Sequence, residues 1–115
     1  MEIKNYNIAP ALERFNKTLE YNMEITELFE IINIDNIFYA KNMHKKYRNV
    51  INNFRLTTNQ PNNYKNTIYI FGNSITFGIG SEDSETIPSC LQRIINQHFK
   101  NNKEWCIMNC ANHAG

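Results

Sequence analysis

Ser74 is the residue of this chain best placed, by type and spacing, to act as a nucleophile. It follows the β-branched and aromatic run Ile68-Tyr69-Ile70-Phe71 after only Gly72 and Asn73. A strand that stops at a glycine and turns straight into a helical pattern lifts the side chain between them out at the carboxyl end of the sheet. Open α/β sheets carry their chemistry at that edge. A serine hydroxyl is a weak nucleophile until a neighbouring base takes its proton, and its attack on an ester carbonyl creates an oxyanion that needs donors aimed at it. Behind the serine, Thr76, Gly78 and Gly80 alternate with apolar residues.

Other chemistries find less support. Gly78-x-Gly80 after a strand hints at a phosphate loop, but Asp83 stands where a third glycine would fall and no Gly-Lys-Ser/Thr follows. The acidic run Glu82-Asp83-Ser84-Glu85 would also repel phosphate. Cys90, Cys106 and Cys110 form no C-x-x-C pair and lack zinc-ligand spacing. They read as reduced cysteines of a cytoplasmic protein, packed as small hydrophobes. His44 reads as a surface helix residue. No metal or organic cofactor is implied.

The elements that must hold Ser74 can be read from pattern. A strand is expected at Thr67 to Phe71, then a loop through Gly78, Gly80 and the acidic run. A helix is expected from Ile87 to Phe99, with Thr86 as N-cap and Pro88 in its first turn. Its apolar stripe would be Ile87, Leu91, Ile94, Ile95 and His98, with His98 at the boundary of the buried face. Trp105 to Asn109 completes a β-α-β unit, the seed of a parallel sheet. Upstream, Leu12, Phe15 and Leu19 make one helical stripe, and Ile25, Leu28, Phe29 and Ile32 a second. Phe38, Met43, Tyr47, Val50, Ile51 and Phe54 make a less regular third. The polar break Thr57 to Lys65 places a domain boundary near Pro61. Residues 1–62 are thus expected as a helical N-terminal extension and 63–115 as the start of an α/β domain. A β-α-β unit alone leaves sheet edges uncovered, and such a domain usually takes about 100 to 200 residues; the chain therefore reads as C-terminally truncated.

Gly72-Asn73-Ser74-Ile75-Thr76-Phe77-Gly78 resembles the first sequence block of the SGNH (GDSL-like) hydrolases: Gly-Asp-Ser, an apolar residue, Thr or Ser, any residue, Gly. Asn73 replaces the usual Asp; it can brace the turn but carries no charge. The resemblance covers residues 69–115 and implies a flavodoxin-like parallel-sheet domain. It makes Ser74 the nucleophile and a donor of an oxyanion N–H, with Asn73, Thr76 and Gly78 in support. The segment Asn109-Cys110-Ala111-Asn112-His113-Ala114-Gly115 stands where the second block would be. Gly115 matches its oxyanion glycine best, and Ala111 or Ala114 could hold the position instead. The block-three asparagine and the Asp-x-x-His pair would lie beyond Gly115. His113 falls within the donor loop, on the wrong side of the serine for a base, and reads as a loop residue. The resemblance implies an esterase or acyltransferase acting on a small acyl ester or acylated carbohydrate, the fragment itself being inactive. The alternative is a non-catalytic binding protein built on an SGNH-like remnant.

Composition narrows the partners. Of 115 residues 42% are hydrophobic, enough for a core, and the formal net charge is only +1, with signs interspersed. That argues against nucleic acid or an acidic membrane surface as a partner. The cluster Lys41 to Arg48 reads as a solvated helix face. Asparagine is abundant but scattered, without a low-complexity tract. No apolar leader or membrane-length run occurs in the sequence, so a cytoplasmic location is expected.

Overall fold

The computed structural model describes residues 19–99 and 104–112. Residues 19–25 are helical (α1). Strands β1 (Ile31–Ile34) and β2 (Ile37–Ala40) then form a separate antiparallel ribbon. Three short strands follow: β3 (Met43–His44), β4 (Asn49–Ile51) and β5 (Phe54–Arg55). Next come β6 (Asn66–Ile70), the single-turn helix α2 (Ser74–Phe77), a 3₁₀ turn at Asp83–Glu85, α3 (Ile87–His98) and β7 (Trp105–Asn109). The main sheet has five strands in the order β3-β4-β5-β7-β6. β6 and β7 are parallel and joined through α3, whereas β3, β4 and β5 form a meander antiparallel to β7. The fold is mixed α/β with a mixed sheet.

The β-α-β unit stands over the expected residues, with Ile68 opposite Ile107 in the parallel register. Thr86 caps α3 by accepting from the Ser89 N–H at 3.3 Å, and Pro88 occupies the first turn. The buried face of α3 differs from expectation. Pro88, Ser89 and Gln92 are buried, while Ile87, Ile94 and His98 are exposed. Gln92 faces the sheet because β5 meets β7 only at Asn109, which leaves earlier β7 backbone groups without a strand partner on the side away from β6. Gln92 accepts from the Ile107 N–H at 2.7 Å and donates to the Trp105 carbonyl at 3.0 Å; Gln60 donates to the Ile107 carbonyl at 2.7 Å. Side-chain amides thus complete the ladder, as buried backbone groups require.

The helical extension expected over residues 1–62 is corrected by the strands β1 to β5. Only 19–25 are helical among its described residues; Leu12 and Phe15 lie outside them, and Leu19 is exposed. Asp35-Asn36 and Asn52-Asn53 are the reason. All four have positive φ, 52° and 66° in the first pair and 53° and 67° in the second. Each pair closes a two-residue hairpin whose twist matches its strands, and asparagine and aspartate reach this region at lower cost than other non-glycine residues. His44, expected on a helix, is exposed on β3.

The sheet also runs through the boundary expected near Pro61. Arg55 of β5 pairs with Asn109 of β7, and the core joins Phe29, Ala40 and Val50 to Phe77 and Ala111. Phe29 and Phe77 meet edge to face, 4.9 Å between centroids at 88°, a geometry aromatic pairs favour. Arg48, expected on a solvated face, is fully buried. It lies over the Phe29 ring at 4.3 Å and donates to the Glu27 carbonyl at 2.8 Å, and burial pulls its guanidinium below the ordinary arginine range.

Candidate active site

β6 ends at Ile70, and Asn73 then caps the turn that carries Ser74. The Asn73 backbone is extended (φ −101°), and its side-chain oxygen accepts from the Ile75 N–H at 3.1 Å. Ser74 is half-buried as the first residue of α2, at the carboxyl end of the parallel pair. Its carbonyl accepts from Gly78 N–H at 2.9 Å and Ile79 N–H at 3.1 Å. Gly72 is required by close approach: a Cβ there would lie 2.7 Å from Cβ of Thr76. Gly78 is required by conformation and space together. Its φ is 96°, and a Cβ would stand 2.6 Å from the Thr86 methyl and 3.1 Å from Arg55 Nη1.

The loop after β7 runs alongside this turn. Cys110 N–H donates to the Ile70 carbonyl at 2.8 Å and Asn112 N–H to the Gly72 carbonyl at 3.0 Å, which carries the parallel pairing past the strand ends. Asn112 also donates from Nδ2 to the Phe38 carbonyl at 2.9 Å, tying the β1–β2 ribbon to the loop. Ala111 N–H is taken by Asn109 Oδ1 at 3.1 Å. All three N–H groups from 110 to 112 are therefore engaged, which removes Ala111 as a free donor. His113, Ala114 and Gly115 lie outside the described residues.

Two buried side chains brace α2 from the sheet. Asn109 donates from Nδ2 to the carbonyls of Thr76 at 3.2 Å and Phe77 at 3.4 Å. Arg55 spends its whole guanidinium nearby: Nη1 donates to Phe77 O at 3.2 Å and Gly78 O at 2.9 Å, and Nη2 to Ser81 O at 2.6 Å. Its Nε forms a buried ion pair with Asp83 Oδ1 at 3.0 Å. Burial pulls the Arg55 guanidinium down from the ordinary arginine value, and the hydrogen bond and charge of Asp83 oppose that. Asp83 also accepts from Asn49, from its backbone N–H at 2.9 Å and its Nδ2 at 2.7 Å. Sequence reasoning placed Asp83 in an acidic loop that would repel phosphate and assigned nothing to Arg55. The two are far apart in the chain, and no local pattern pairs them.

His44 sits on β3, at the opposite edge of the main sheet from β6, and His98 ends α3, whose start is the end that packs beside Gly78 through Thr86. Neither faces the Ser74 turn. Among the described residues no group of three or more His, Cys, Asp or Glu could hold a metal ion. An apolar cleft of about 490 Å³ lies between the β1–β2 ribbon and the end of β6, lined by Phe38, Tyr69, Phe71, Cys110 and Asn112 among others. A larger cleft, about 870 Å³, opens between residues 59–63 and α3 and is lined mainly by amide side chains. It holds no nucleophile. Comparison of the chain with protein-family models, curated proteins and solved structures returns no match.

Proposed function

We propose that the chain is the N-terminal part of an SGNH-type serine ester hydrolase, with Ser74 as nucleophile on a flavodoxin-like sheet. One observation carries the reading. A strand, a capped turn and a helix seat a half-buried serine at the carboxyl end of a parallel strand pair, and the neighbouring strand's loop is hydrogen-bonded alongside. Acyl transfer needs a nucleophile at such an edge, with a neighbouring loop to bring backbone donors to it.

In this reading Ser74 Oγ bonds to the ester carbonyl carbon while its proton passes to a general base. The carbonyl π pair moves onto oxygen, and that oxyanion is held by the N–H groups of Ser74 and of Gly115, or Ala114, on the adjacent loop. Collapse breaks the ester C–O bond, and the departing alkoxide recovers the proton from the base. Water, or an acceptor alcohol in a transferase, then releases the acyl group by the reverse sequence. The base and its carboxylate partner come from residues outside those described. Asn73, Thr76 and Gly78 hold the turn, and no cofactor takes part. Suitable substrates are small acyl esters or acylated carbohydrates, with neither nucleic acid nor membrane as partner.

The three cysteines are free, which fits a reducing compartment and supports a cytoplasmic location. Among the described residues no helix is long and apolar enough to cross a membrane.

The test is covalent labelling of the protein, as its gene encodes it, with an alkyl fluorophosphonate, alongside hydrolysis of short acyl esters. Labelling mapped to Ser74 by mass spectrometry, with both signals lost in Ser74→Ala, supports the hydrolase. A folded protein that takes no label and turns over no ester returns the chain to the non-catalytic binding reading.

A further inference from the structure

We infer that Arg55 is a positioning residue of the Ser74 site, so that the β4–β5 hairpin is a working part of that site; this rests on the hydrolase reading above. α2 is a single turn of four residues, and a helix that short does not hold itself together in water. Its last carbonyls have no partner within the helix. Arg55 supplies one for Phe77, for Gly78 and, just beyond, for Ser81. The chain it grips is the chain that holds the nucleophile, since the N–H groups of Gly78 and Ile79 both donate to the Ser74 carbonyl. The grip is anchored in turn. Arg55 Nε meets Asp83, and Asp83 is held to β4 by two bonds from Asn49.

Stability alone does not explain this arrangement. A buried ion pair returns little net stability over apolar residues of equal volume, and β5 needs no arginine to pair with β7. What the guanidinium provides is geometry. Its planar fork reaches three carbonyls and one carboxylate from a single fixed position, which a lysine ammonium with three donors on a flexible stem cannot reproduce.

The experiment compares Arg55→Lys with the wild type, in the protein as its gene encodes it. The readouts are the rate of fluorophosphonate labelling at Ser74 and hydrogen exchange at the Gly78 and Ile79 amides. The expected result is labelling slowed at least tenfold and exchange at those two amides accelerated at least tenfold, with β7 amides unchanged. Ile25→Ala, which trims a buried side chain of α1 that takes no part in the Arg55 and Asp83 hydrogen bonds, serves as the stability control and retains wild-type values in both readouts. Should Arg55→Lys fail to fold, Asp83→Asn weakens the anchor while leaving the carbonyl contacts, and labelling slowed about threefold is expected. Wild-type labelling that Arg55→Lys (or, in its place, Asp83→Asn) leaves unchanged overturns this inference alone, as does an equal loss in Ile25→Ala. A wild-type protein that takes no label overturns the hydrolase reading and this inference with it.

Discussion

Arg55 and Asn109 stand opposite each other in β5 and β7, and both side chains donate to the carbonyl oxygen of Phe77, at 3.2 and 3.4 Å. One cross-strand pair thus joins the N-terminal hairpin, the second parallel strand and the helix that begins at Ser74. The serine's position is set from the sheet below it as well as by the turn that leads into it.

Asn109 tests that arrangement most directly. It is buried, gives Nδ2 to two carbonyls and accepts from the Ala111 N–H. Asn109→Ala leaves that N–H and the Thr76 carbonyl without partners, at a cost of about 1–3 kcal/mol for each buried group so orphaned. A lowered urea midpoint with unchanged m-value is expected. Because Arg55 shares the Phe77 carbonyl, Asn109→Ala and Arg55→Lys should be non-additive by about 0.5 kcal/mol or more in a double-mutant cycle. Strict additivity would show that the two act independently.

Gly72 is held by close approach, so its replacement can be relieved only in part. Gly72→Ala pushes a methyl against Thr76 and should cost about 1–3 kcal/mol, in the range of overpacking. Thr76→Ala removes the hydroxyl and the γ-methyl but keeps Cβ, which lies 2.7 Å from the new group. The double variant should therefore regain some stability without reaching that of Thr76→Ala alone, measured by denaturant midpoint.

The first hairpin turn discriminates strand from helix by the sign of one substitution. Asn36 has φ 66°, a conformation glycine adopts freely. Asn36→Gly should leave the thermal midpoint equal or higher, whereas within a helix it would lower it. Asn36→Val should cost about 1–2 kcal/mol, the order of the left-handed penalty for a residue with a Cβ. Circular-dichroism melts of the two variants decide it.

Cys106 is buried in β7, and burial pushes its thiol up from the ordinary value of 9.0, against an opposing hydrogen bond from Tyr64. The folded chain therefore favours the neutral thiol more than the unfolded chain does. That contribution to stability is present in full below the unfolded thiol value and is lost as pH climbs from there through the folded value. Between pH 7 and 10 the urea midpoint of the wild type should fall further than that of Cys106→Ala. Parallel curves would mean that the thiol does not ionise differently on folding.

The parts of the molecule legible from sequence are those whose pattern is local. The β-branched run of β6, the proline and threonine at the start of α3, and the apolar centre of β7 each declare their element within a few residues. The hairpins were misread for a related reason. Apolar residues three or four apart, such as Leu28, Ile32 or Val50, Phe54, match a helix, yet the Asp35-Asn36 and Asn52-Asn53 pairs between apolar flanks were the hairpin signal. The face of α3 was misread because Gln92 is drawn inward by unpaired β7 backbone rather than by hydrophobicity.

By itself the sequence determined the strand before Ser74, the small-residue turn and the helix from Ile87, because glycine, asparagine and threonine at those positions act on backbone within a few residues; the helical turn Ser74–Phe77 stands where a loop was expected. Tertiary structure alone decided what holds that turn. Arg55 and Asp83, or Arg55 and Asn109, carry no mark of one another in the sequence. They meet because an antiparallel meander and a parallel β-α-β unit share one sheet, and a buried guanidinium must find its acceptors wherever that sheet brings them.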